Sequence, residues 1–435
     1  MNTIRSVSLD DYGQQRYTLL RQPANHTHRG ASSLRSIYRR TICRCTRRTA
    51  LILGILPIAL VAASCSSVRH QSTSAGAPTP ASASQPVRIA SVAMPDQSTL
   101  LVTTDTGDVY YSTDGGSTWT ARTPPGWHGP PSARTPEGEA AGTITSSSAW
   151  IAHVLSTGVV SVGHTTDEGQ TWHTSVLPKS YPNGSGPVGV SFVGADTGWA
   201  SVNEPTGPAL ALTDVFHTSD GGISWSLEST INGAAGPVDF VTTQVGYAGD
   251  TPAANRLYET TSGGQTWTPA PLPTPTGVQA EQIPAPGLPV FTSQENGFLY
   301  VSFEAVQGRG PLLPYMDETS NGGASWTQVS LPSTNGGKLP DAWSVVSPTD
   351  WFLAGSNMIL HTTDGGKHWT EVKSDMSLGV PVVLKFVTDS VGIALINVST
   401  CAGTSQSVTN PCNSTDELVK TTDGGKTWTV LHIPT

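Results

Sequence analysis

From residue 87 to the C-terminus, apolar and polar residues alternate in short runs, each closed by Gly, Asp, Asn, Ser or Pro. Period-two alternation between turn residues reads as half-buried β-strands. The first cycle shows four such runs, at 87–92, 99–104, 108–113 and 117–122. Later cycles repeat the opening half: 188–202, 238–248, 343–354 and 384–395 are each an alternating run, a polar turn and a second run. These segments predict the first two strands of a four-stranded meander, and nothing outside the N-terminal apolar segment carries a helical period.

The third and fourth strands of each cycle are joined by a fixed line: a hydroxyl residue, any residue, an acid or small polar residue, any residue, Gly, any residue, Ser/Thr/His, then Trp. It occurs seven times, at 112–119, 165–172, 218–225, 260–267, 319–326, 362–369 and 421–428. Its tryptophans, Trp119, Trp172, Trp225, Trp267, Trp326, Trp369 and Trp428, are spaced 53, 53, 42, 59, 43 and 59 residues apart. A period of roughly 40 to 60 residues built from strand units is the signature of a propeller or repeat array. Asp-Gly-Gly supplies the positive φ angles of a tight hairpin, and the carboxylate can accept hydrogen bonds from the turn. The Trp opens the return strand and covers the hairpin with a large apolar face. The acid position holds Asp114, Asp167, Asp220, Ser262, Asn321, Asp364 and Asp423. Ser262 and Asn321 also accept hydrogen bonds, so the position reads as structural and not as catalytic chemistry. A calcium loop gathers several carboxylates in one short segment; each of these turns offers one.

The line matches the Asp-box, or bacterial neuraminidase repeat. With the Phe-Val…Gly-Trp/Tyr-Ala line before it, the region 87–435 resembles the extracytoplasmic seven-bladed propellers grouped with the photosystem II assembly factor Ycf48, and is similar to sialidase-related propellers. The resemblance implies an all-β fold, seven four-stranded antiparallel blades in a ring. It implies less about activity, because sialidases, xyloglucanases, sortilin-type receptors and non-enzymatic assembly factors all carry the box. In the Ycf48 group an arginine patch contacts the partner; the region 87–435 has five arginines and does not visibly reproduce that patch.

Charge divides the chain. Residues 1–65 hold ten arginines, no lysine and two aspartates, whereas the remainder holds 13 basic against 30 acidic residues. An acidic domain lacks the basic footprint that phosphate binding needs, which excludes nucleic acid as the expected partner. The expected organisation is a basic N-terminal region, 1–48, cytosolic or upstream of the true start; a signal or anchor segment, 49–65; a Ser/Ala/Pro linker, 66–86; and the propeller, 87–435. The uncharged stretch 50–64 follows Arg47 and Arg48 and runs into Cys65 behind Ala62-Ala63-Ser64. It reads as an export signal with a lipobox-like end, lipidated at Cys65, or as an uncleaved single-pass anchor. Either reading places the propeller outside a bacterial cytoplasmic membrane. In such a compartment Cys401 and Cys412 are expected to form a local disulfide; no His stands near them to favour a metal site.

Length variation falls in the joins opposite the boxes, at 123–142, 179–187, 203–214, 269–287, 304–315 and 401–417. Loops on a rigid scaffold are where binding groups are carried. The candidate ligand-face residues are Trp127, Arg134, Tyr181, Glu204, Arg256, Glu304, Arg309 and Tyr315, aromatic and charged groups suited to a peptide or glycan. No Walker loop, zinc-type spacing or nucleophile elbow is present. The expected function is a non-catalytic, membrane-tethered, monomeric binding propeller that needs no cofactor or metal. The alternative is a secreted or cell-surface glycoside hydrolase, sialidase-like or xyloglucanase-like, the latter requiring two opposed carboxylates.

Overall fold

The computed structural model describes residues 7–9, 15–17, 88–127, 144–182, 184–205, 211–250, 256–270, 272–273, 282–305, 315–332, 342–355, 358–375, 380–400 and 413–434. Two units result, Met1–Thr79 and Pro80–Thr435. Within the first, strands Val7–Leu9 and Gln15–Tyr17 pair antiparallel. The second is an all-β, seven-bladed propeller. Its seven antiparallel sheets follow one another along the chain, as blades 1 to 7, at 89–121, 149–180, 188–232, 234–269, 282–330, 342–372 and 380–431.

Each blade is a simple meander, its strands hydrogen-bonded in chain order. Blade 3 is typical, with strands Val188–Val193, Thr197–Pro205, Ala211–Thr218 and Ser226–Asn232. Blade 2 is described by three strands, blade 5 by five, because both Gln282–Pro286 and Val290–Phe291 pair with its long second strand Gly297–Ala305. Blades 1 and 7 each draw all four strands from their own sequence, so the ring closes between whole blades.

A meander leaves two faces to bury, and the blades bury them against one another through a repeated aromatic stack. An aromatic ring on the second strand of one blade lies flat on the first-strand Phe of the next: Trp199 on Phe240 at 3.6 Å and 6°, Phe352 on Phe386 at 3.7 Å and 6°, Trp150 on Phe192 at 4.4 Å and 17°. The box Trp of that next blade meets the same Phe edge-on, Trp267 against Phe240 at 80° and Trp428 against Phe386 at 80°. Flat-then-edge packing satisfies the quadrupoles of all three rings. It also explains the glycine that precedes the second-strand aromatic. A Cβ at Gly246 would meet the Phe240 ring at 2.7 Å, so no larger residue fits beneath it.

The box turns have a common internal wiring. Their first hydroxyl is buried in every copy, 1–4 % exposed, and accepts from the backbone N–H four residues on, as in Thr421 from Gly425 at 2.9 Å and Thr362 from Gly366 at 3.1 Å. The same hydroxyl donates to the acid, which in turn accepts the N–H and side chain four residues beyond it: Asp423 from Thr427 N at 2.9 Å and Thr427 Oγ1 at 2.7 Å. Ser262 and Asn321 take the same N–H bond, from Thr266 and Ser325 at 3.0 Å each. These bonds hold Asp114, Asp167 and Asp364 at about 2, below the usual carboxylate range. In Asp114 and Asp167 the hydroxyls of Thr118 and Thr171 weigh most, and in Asp364 the His368 backbone N–H. The structural reading of the boxes thus has a geometric basis in hydrogen bonds confined to the turn.

Candidate functional site

Opposite the boxes, strand ends and inter-blade joins meet, and between blades 2 and 3 they build a polar cluster. The fourth strand of blade 2, His173–Ser180, carries Lys179 to its end, and Tyr181 follows directly. In blade 3 the second and third strands run on to Pro205 and back from Ala211, pairing Glu204 with Leu212 and Val202 with Asp214. The segment 203–214, expected as a loop, is therefore paired strand over 203–205 and 211–214. Backbone pairing fixes the side chains of Glu204 and Asp214 much more firmly than a loop would.

Asp214 is the hub, its side chain 2 % exposed. Its Oδ2 accepts from Lys179 Nζ at 2.6 Å and from Tyr181 OH at 2.8 Å, and its Oδ1 accepts from Thr230 Oγ1 at 2.7 Å. Lys179 also donates to Glu204 Oε2 at 2.9 Å and stands 5.2 Å from the Tyr181 ring centre. Burial pushes the Asp214 carboxyl up, but the Lys179, Thr230 and Tyr181 donors outweigh it and leave the group below its ordinary value. Burial pulls Lys179 down and its two carboxylate partners more than restore it, so it stands raised. Tyr181 is driven up, by burial first and by Asp214 second. Asp214, Lys179 and Tyr181 are thus each held in the ordinary charge state. The cluster presents a half-exposed ammonium and a half-exposed carboxylate, Lys179 and Glu204, over a fixed floor.

Two expected ligand-face residues, Tyr181 and Glu204, are brought together here, joined by Lys179, Asp214 and Thr230, which the sequence reading did not single out. Tyr181 is buried at 3 % and takes part through its hydroxyl on Asp214 and its ring beside Lys179. Trp127, expected on the ligand face, is instead 3 % exposed. Its indole stacks on His153 at 5.3 Å and its Nε1 donates to Ser161 Oγ at 3.0 Å, which makes it part of the core between blades 1 and 2. Tyr315 is half-buried on a strand of blade 5 and packs against the core shared with blade 4. Arg256 is exposed ahead of strand Tyr258–Thr260 of blade 4. The backbone of Glu304 pairs with Ile283 in blade 5. Arg134, Arg309, Cys65, Cys401, Cys412 and the linker 66–86 lie outside the described residues. Among the described residues no group of three or more His, Cys, Asp or Glu could hold a metal ion, and no helix is long and apolar enough to cross a membrane.

A family model for the BNR/Asp-box repeat matches residues 110–121, the third strand and box of blade 1. No curated protein matches the chain. Among solved structures, one described as YCF48 bound to D1 peptide is 17 % identical with a TM-score of 0.47, over 72 % of this chain and 91 % of that one. A GH74 enzyme from Niastella koreensis is 15 % identical with a TM-score of 0.47, over 80 % and 66 %. The Aleuria aurantia lectin in complex with α-methyl-L-fucoside is 13 % identical with a TM-score of 0.37, over 66 % and 94 %. Seven turns wired alike and seven sheets closed in a ring make this chain a seven-bladed β-propeller, and the turn of its first blade matches the BNR/Asp-box repeat.

Proposed function

We propose that the chain is a non-catalytic, extracytoplasmic binding propeller, tethered to a bacterial membrane through its N-terminal segment, which recognises a protein or glycan on the face opposite the boxes. The observation that carries this reading is how the two carboxylates in the blade 2/3 cluster are bonded. A hydrolytic pair needs one carboxyl held protonated and a second free to attack or to activate water. Asp214 and Glu204 instead share one ammonium ion, and Asp214 accepts two further hydroxyl donors. Such an arrangement suits a preformed hydrogen-bonding surface, with polar groups placed before the ligand arrives and little ordering cost on binding. Peptide and glycan neighbours of the same fold are consistent with either ligand class.

The test is a screen of the secreted portion, 87–435, against cell-wall glycans and membrane-protein extracts, run with a fluorogenic glycosidase panel. Binding that weakens in Glu204→Gln while the panel stays silent supports the reading. Turnover lost on changing a facing carboxylate pair would establish the hydrolase instead.

A further inference from the structure

The first strand of each blade is the one nearest the ring axis, and its register is common around the ring. Ser191 pairs with Trp199, Asp239 with Tyr247, Ser344 with Phe352 and Lys385 with Ile393. At this level most blades present a small or uncharged residue, whereas blades 4 and 7 present Asp239 and Lys385. Their chain neighbours Val238, Phe240, Leu384 and Phe386 are buried, yet both charged side chains are exposed. A first strand is covered on one edge by its second strand and on both faces by neighbouring blades, so the open space these side chains reach is the axial channel. Two blades separate them on one side of the ring and three on the other, which sets them across the channel from one another.

Asp239 Oδ1 is held by Ser191 Oγ at 2.8 Å, and the same hydroxyl accepts from Phe240 N at 2.9 Å, linking blades 3 and 4. Asp239 Oδ2 has no partner among the described residues, and neither has Lys385 Nζ. Their surroundings disfavour charge: burial pushes the Asp239 carboxyl up against the opposing bonds from Ser191 and Phe240, and burial pulls Lys385 down. Two unlike charges, neither paired through Asp239 Oδ2 or Lys385 Nζ among the described residues, stand on opposite walls of the channel. Unpaired charges in such a site are a standing cost that a ligand of matching polarity removes.

We propose that the axial channel binds a small free zwitterion, its ammonium group on Asp239 and its carboxylate on Lys385. This is a second site, independent of the loop-face reading. Both ends are recognised by charge-assisted hydrogen bonds, which are the stronger kind in a shielded setting. Because the two groups are fixed by the ring, the span between them selects ligand length, and a molecule with one charge satisfies one wall and leaves the other bare.

The experiment is calorimetric titration of the full chain with ω-amino carboxylates from glycine to aminooctanoate, with butylammonium and butyrate as singly charged controls. Affinity should peak at one chain length, and the controls should bind at least about tenfold more weakly than the best member. Asp239→Asn and Lys385→Met should each weaken that member by about tenfold or more. Both variants are expected to keep the wild-type unfolding midpoint or exceed it, since each removes an unneutralised charge. Should either misfold, the length dependence and the singly charged controls in the wild type decide alone. Absence of saturable binding across the series, a flat dependence on length, or unchanged affinity in both folded variants would overturn the proposal.

Discussion

The ammonium group of Lys420, on the third strand of blade 7, donates to the carbonyl of Gly115 in the first box, at 2.9 Å, and to that of Gln97 at 3.2 Å. Residues 305 and 323 positions apart in sequence are thus joined across the seam where the last blade meets the first. Behind this clasp the blade 7 residues Ile393, Leu395 and Leu418 pack against Val92, Leu100 and Val102 of blade 1. Replacing Lys420 by Met keeps the apolar stem and removes both bonds. The expected loss is about 1–2 kcal/mol, as for hydrogen bonds from a charged donor, read as a lower urea midpoint with little change elsewhere in the ring.

The box hydroxyl is expected to matter more than its acid. Thr362 is 2 % exposed and accepts from Gly366 N. Thr362→Val leaves that buried N–H unsatisfied and should cost about 1–3 kcal/mol. Asp364→Ala removes a solvent-facing acceptor, and its effect on the denaturation midpoint should be smaller than that of the Thr362 change. The reverse order would mean that the carboxylate organises the turn.

Blade 2 departs from the other boxes, carrying Glu168 where they have their first Gly. Its φ is +60°, the only positive φ of a non-glycine residue among those described. A side chain in this region is strained by about 1–2 kcal/mol. Glu168→Gly should therefore stabilise the fold, by about 0.5–1 kcal/mol after the entropy that glycine adds to the unfolded chain.

Asp317 sits two residues before the box of blade 5, where blade 3 has the core residue Phe216. It is 2 % exposed, its Oδ1 has no partner among the described residues, and burial raises its carboxyl from 3.8 to about 6. The folded chain holds this proton more tightly than the unfolded chain. The contribution is therefore complete below pH 3.8 and is lost as pH rises through about 6. Above that the ionised group costs about 3 kcal/mol. Asp317→Leu should raise the unfolding midpoint at neutral pH and flatten its dependence between acid and neutral conditions. The box aspartates act in the opposite sense: held at about 2, Asp114 and Asp167 stabilise above the ordinary carboxylate range, and that stabilisation is lost as pH falls toward 2.

At the blade 2/3 cluster, Lys179→Met strands a buried carboxylate. Removing one partner of such a pair typically costs about 3–5 kcal/mol; the half exposure of Lys179 puts the expectation at the low end. Tyr181→Phe, which leaves Asp214 its Lys179 and Thr230 donors, should cost about 1 kcal/mol. Similar losses in the two variants would show that the ammonium is not the principal partner of Asp214.

Strand order and blade number could be read from the sequence because each depends on local features: alternation of period two, the Asp-Gly-Gly turn, and a Trp at a fixed distance. The four runs of the first cycle fall within a few residues of strands Ile89–Ala93, Leu100–Thr104, Val109–Ser112 and Thr120–Ala121. What escaped the sequence depends on partners remote in the chain. Trp127 looked like a loop aromatic until His153 and Ser161 closed over it. The length of the 203–214 hairpin was hidden because Asn203, Glu204 and Pro205 are poor strand formers whose pairing is set by residues 211–213. Asp239, Lys385 and Asp317 did leave a signal. Each is a charged residue at a repeat position that other blades fill with an uncharged one, visible once the blades are aligned on their boxes.

An open solenoid must protect its first and last repeats with special capping sequences. This ring has none to protect, and its blades meet at seven borders, six of them spanned by the chain itself. The seventh, at Lys420 and Gly115, is held by side chains and backbone alone. Parting there would convert the closed ring into an arc with two bare flanks, one of them bearing Ile393 and Leu395 and the other Val92 and Leu100. Joining the natural termini by a linker and cutting the chain at another border would move the weak joint without altering a single inter-blade contact. The position of the ends along the sequence, more than any one blade, then decides where unfolding begins.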